Sequence, residues 1–111
     1  MAKKITINWH GSDYTMEFNR KTVLGMESLG FEVSKISQKP NTMIPLLVQG
    51  SFAMHHPNMK PETAMDIFYD QSDKLGLITA LSEMYSEPGE KLLEEPDDEA
   101  QAKNTTWVKG W

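Results

Sequence analysis

Cysteine is missing from the chain, and with it go disulfides, thiolate nucleophiles and thiolate metal sites. No apolar run approaches the roughly 18 residues that a membrane-spanning helix needs, and the mean hydropathy is -0.51. No secretory signal opens the chain: after Met1-Ala2-Lys3-Lys4, the apolar residues Ile5, Ile7 and Trp9 alternate with polar ones where an unbroken stretch is required. The expectation is a soluble, intracellular protein whose stability comes from packing. Excess positive charge is lacking too. Eleven Lys and Arg against sixteen Asp and Glu give a net charge of -5, the wrong sign for affinity built on phosphate neutralisation. Neither nucleic acid nor a membrane is an expected partner.

At 111 residues there is room for a single core and no second full domain. Charge divides the chain unevenly. Residues 1–86 carry nine acidic and eight basic side chains, whereas residues 87–111 carry seven and three. This predicts one compact domain over 1–86 and a flexible acidic tail over 87–111. From Pro96 onward the tail offers too little apolar surface to offset the entropy of ordering.

Lys3 to His10 alternates as a strand with Ile5, Ile7 and Trp9 on one face, and Tyr14, Met16 and Phe18 alternate in the same way. Gly11-Ser12-Asp13 between them predicts the turn of an antiparallel hairpin. A lone hairpin is marginal in water, so helices must cover its apolar face. Asn19 suits a helix N-cap, Arg20 to Leu29 places Val23, Met26 and Leu29 at helical spacing, and Gly30 supplies a left-handed stop. Phe31 to Ile36 fits either a third strand or an extended connection. Asn41 or Thr42 can cap a helix running to about His55, with Pro45 in its first turn and Met43, Leu46, Leu47, Gly50 and Met54 on one stripe. Pro61 and Glu62 open a further helix to about Tyr69, with Ala64, Met65, Phe68 and Tyr69 inward. Ser72 or Asp73 caps a long last helix carrying Leu75, Leu77, Ile78, Leu81, Met84 and Tyr85, which Pro88-Gly89 should break or end; Leu92 and Leu93 then centre one more turn. The predicted class is α+β: an N-terminal antiparallel hairpin packed on about four α-helices, followed by the flexible acidic C-terminal tail.

Reactive constellations are weak. His55 and His56 are adjacent and so diverge by about 100° on a helix, while His10 stands alone, which argues against a metal site and for a helix C-terminus that favours histidine. Asp66 and Asp70, four apart, can share a proton in principle but read more simply as a solvated helix face. Ser12 and Ser51 lack the glycine pattern of a nucleophile elbow, and no phosphate-cradling glycine motif occurs. The expectation is a non-enzyme with no cofactor. Eight methionines suit irregular cores and adaptable binding faces alike. Trp107, Val108 and Trp111 lie beyond an acidic linker, where such anchors dock on a partner, fold back on the body or are incidental. With Leu92 and Leu93, they are the expected partner-binding residues.

The pattern as a whole resembles a known family. A hairpin ending Tyr14-Thr15-Met16-Glu17-Phe18-Asn19 leads into a helix with Val23-Leu24-Gly25-Met26-Glu27. There follow a helix around Pro45-Leu46-Leu47-Val48-Gln49-Gly50-Ser51-Phe52, one opened by Met59-Lys60-Pro61-Glu62, and a last one over Leu77 to Tyr85. Over about residues 3 to 95 this is similar to the small tail assembly chaperones of long-tailed phages and prophages. The resemblance implies a non-enzymatic protein of the bacterial host cytoplasm. Its implied action is to self-associate, hold the tape-measure protein and bring tail-tube subunits to it, and a longer frameshifted form is also implied. A structural or adaptor subunit of a viral particle is the alternative, as is a small regulatory binder such as an antirepressor or antitoxin.

Overall fold

Strands β1 (Lys4–Trp9) and β2 (Ser12–Glu17) pair antiparallel in the computed structural model, which describes residues 3–93. The expected turn at Gly11-Ser12-Asp13 is instead His10-Gly11, because Trp9 pairs with Ser12, Ile7 with Tyr14 and Ile5 with Met16. A three-residue loop there would set Ile7 opposite Glu17; the two-residue loop keeps apolar side chains opposite one another on one face. Both loop residues have positive φ, 52° at His10 and 83° at Gly11, the mark of a type I′ turn whose twist suits the flanking strands.

Asn19 caps α1 (Arg20–Ser28) as its sequence suggests. Its Oδ1 accepts from the Thr22 amide at 2.8 Å, while Thr22 Oγ1 accepts from the Asn19 amide at 2.9 Å. The far end closes with Gly30 at φ 92°: the Gly30 amide donates to the Glu27 carbonyl and the Phe31 amide to that of Met26, each at 3.0 Å. These are the paired bonds of a Schellman motif, and the accompanying apolar contact is supplied by Met26 and Phe31, both buried. Leu29, expected on the inner stripe, is exposed because the motif turns the chain away at that point.

No strand forms over Phe31–Ile36. Val33–Lys35 is a single 3₁₀ turn, which suits the spacing of three between the half-buried Val33 and Ile36. Helix α2 (Pro40–Ala53) starts earlier and ends earlier than its caps suggest, since Pro40 itself takes the first helical position. Pro45 consequently lies in the second turn. Helix α3 (Pro61–Tyr69) buries Ala64, Ile67 and Phe68, leaving the expected inward Tyr69 exposed.

Asp73 caps α4 (Lys74–Leu93), accepting the Gly76 amide on Oδ1 at 3.2 Å. Leu75, another expected core residue, is exposed in the first turn, while Ile78, Leu81, Met84 and Tyr85 point inward. The expected break at Pro88-Gly89 does not occur: α4 runs on to Leu93. Proline here removes one backbone hydrogen bond, to the Met84 carbonyl, from a helix already anchored by those four buried side chains.

The core gathers at α2, whose buried Leu47, Val48 and Phe52 meet β2, α1, α3 and α4. Met16, Met26, Met43 and Met84 are buried in the same cluster, so the flexible thioethers serve here as filling between helices of unequal length. Tyr85 stands edge-on to both Phe18 and Phe31, tying α4 to the segments on either side of α1. Among the described residues no helix is long and apolar enough to cross a membrane.

Candidate partner-binding surface

Leu92 and Leu93 occupy the last two positions of α4 and are 62% and 85% exposed. The other three expected binding residues, Trp107, Val108 and Trp111, lie outside the described residues. Leu92 follows Pro88 by four residues and so continues its stripe of the helix. Pro88 in turn lines a groove of about 340 Å³ whose apolar floor is completed by Phe18 and Met54, with Glu17, Arg20, Glu87 and Lys91 around it. Elsewhere Leu24 and Leu29 of the α1 segment and Leu75 of α4 are also exposed, a set of isolated aliphatic side chains outside a well-filled core. Charges of both signs round an apolar strip favour a peptide or helix face over a small anionic ligand.

A second hollow, of about 570 Å³, opens between β2 and the connection from α2 to α3, lined by Tyr14, His55, His56, Met59, Lys60 and Thr63 among others. Its histidines are engaged with the hairpin. His56 Nε2 accepts the Thr15 amide at 3.0 Å, and His55 Nε2 lies 2.7 Å from Glu17 Oε1. They stand just past the end of α2, as their sequence position suggests, but what holds them is the hairpin and not the helix dipole alone. Among the described residues no cluster of three or more His, Cys, Asp or Glu is placed to hold a metal ion.

Asp70, the other group weighed for proton chemistry, receives the indole N–H of Trp9 at 2.8 Å and so joins the hairpin to the end of α3. Tyr85 has its hydroxyl pushed above the ordinary value of 10.0, by burial first and by the negative charge of Glu27 second. These links escape sequence reasoning because they span 61 residues for Trp9 and Asp70 and 41 for Thr15 and His56, with no periodicity to announce them.

Fold and surface together define an α+β hairpin-and-helices protein with several exposed apolar residues, Leu92 and Leu93 among them at the end of α4. The chain belongs to the family described as a domain of unknown function, DUF5055, whose model matches residues 1–111. No curated protein and no solved structure matches it.

Proposed function

We propose that the protein is a non-enzymatic assembly chaperone of phage or prophage tails, acting in the bacterial cytoplasm, where it binds the tape-measure protein and assists tail-tube assembly. The observation that carries this reading is the exposed aliphatic end of α4, Leu92 and Leu93, of which Leu92 continues the stripe of a charge-rimmed apolar groove. A long helical client with apolar faces is matched by such a strip in the helix-in-groove manner, several weak contacts replacing one deep pocket. The net charge of -5 keeps the protein and its complexes from unspecific association while those contacts form. Element order, with its hairpin, capped α1 and proline-started α3, agrees with the resemblance seen in the sequence.

Co-expression of the tagged protein with the neighbouring tail genes tests the reading. The expected result is capture of the tape-measure or tail-tube protein, and absence of the chaperone from finished particles analysed by mass spectrometry. Stoichiometric presence in the particle makes it a structural subunit instead.

A further inference from the structure

Thr6 faces Thr15 in the ladder, one rung beyond the Ile7–Tyr14 pair and two beyond Asn8–Asp13, and the two-residue turn fixes which rungs are bonded. Counting from Trp9 and Ser12, the Thr6–Thr15 rung is a non-bonded one, so the Thr15 amide points away from β1 along the open edge of the sheet. It does not stay open. His56 Nε2 accepts that amide at 3.0 Å from the end of α2, giving an edge donor the partner that a third strand would otherwise supply.

An imidazole nitrogen accepts only through its lone pair, and protonation at Nε2 converts the acceptor into a second donor aimed at an N–H. The neighbouring histidine has the opposite response. His55 Nε2 faces the Glu17 carboxylate at 2.7 Å, a contact that a proton on His55 strengthens. The remaining titratable groups round His56 are Tyr14 of β2, whose ring centroid lies 5.3 Å away, His55 at 6.5 Å and Lys60 ahead of α3. Lys60 and a protonated His55 both add positive charge to the hollow; Glu17 is already paired with His55.

We propose that His56 is a pH-sensitive latch: neutral, it closes the β2 edge at Thr15, and protonated, it releases that edge while His55 still holds Glu17. The hairpin is thereby loosened at one point and kept tethered at the next. The released edge is the part of the sheet able to accept a further strand.

Amide exchange of the full chain by NMR, normalised to intrinsic rates at each pH, tests this. From pH 8 to pH 5 the protection of the Thr15 amide is expected to fall by about tenfold, the effect of one lost hydrogen bond at the upper end of the usual range, while Leu47 and Val48 in α2 keep theirs. His56→Gln, whose side-chain carbonyl accepts without titrating, should flatten the Thr15 profile; His55→Gln should leave it like the wild type. Thr15 protection that is constant over this range, or that falls equally in His56→Gln, overturns the proposal. Should His56→Gln fail to fold, the nitrogen resonance of His56 in the wild type decides: an unprotonated Nε2 at pH 8 supports the latch, and a protonated one removes it.

Discussion

Met26 of α1 lies on the backbone of Gly50 in α2, its sulfur and γ-carbon filling the space that a β-carbon at position 50 would take. Both helices cross at that point, and Met26 is buried there. Gly50→Ala gains helix propensity worth up to about 1 kcal/mol and meets an overpacking cost of about 1–3 kcal/mol. The expected outcome is a net loss of about 1 kcal/mol in urea unfolding. In a Met26→Ala background the same change should cost less or stabilise, since the obstructing side chain is gone.

Trp9 and Asp70 provide a second check on how the hairpin is held. Trp9→Phe keeps an aromatic ring and removes the N–H that Asp70 receives at 2.8 Å. A loss of about 1 kcal/mol is expected, below the about 1.5–3 kcal/mol typical of a bond to a charged acceptor because the site is exposed. Asp70→Ala combined with Trp9→Phe should lose less than the sum of the two, as thermal or urea denaturation will show.

Raising the pH should destabilise the protein through Tyr85. Its folded-state value lies above the ordinary 10.0, so the neutral phenol is favoured on folding. Stability from this source is fully present below about pH 10 and falls as pH rises through the higher folded value. Tyr85→Phe removes that alkaline loss; the ultraviolet absorbance of tyrosinate should show one of the three tyrosines titrating late.

Charge placed at the end of α4 should separate binding from folding. Leu92→Asp with Leu93→Asp alters two exposed residues, and unfolding free energy is expected to move by no more than about 0.5 kcal/mol for each. Under the proposed function, capture of the tape-measure protein should drop several-fold. Equal capture by the double variant would move the binding surface elsewhere.

Local chemistry made much of this fold readable. Asn19 and Gly30 bound α1, Pro61 opens α3 and alternating apolar residues mark both strands, because caps, turns and periodicity act within a few residues. The register of the hairpin was harder, since Gly11 alone does not say which neighbour shares its positive φ; cross-strand pairing settles it. Pro88 misleads for a different reason: a local penalty of about 3 kcal/mol is outweighed by tertiary anchoring of the preceding turns, which no local rule weighs. Of the candidate surface, Leu92 and Leu93 were visible as apolar residues in a polar stretch, whereas the groove of Phe18, Met54 and Pro88 exists only once three distant segments converge.

The central position of α2 has a consequence for how the molecule opens. Its partners β2, α1, α3 and α4 each pack directly against it, so any one of them can detach and leave the others a surface to rest on. Opening then begins at the periphery and reaches α2 only when the whole structure comes apart. The amides of Leu47, Val48 and Ser51 should accordingly exchange last, at the rate of global unfolding.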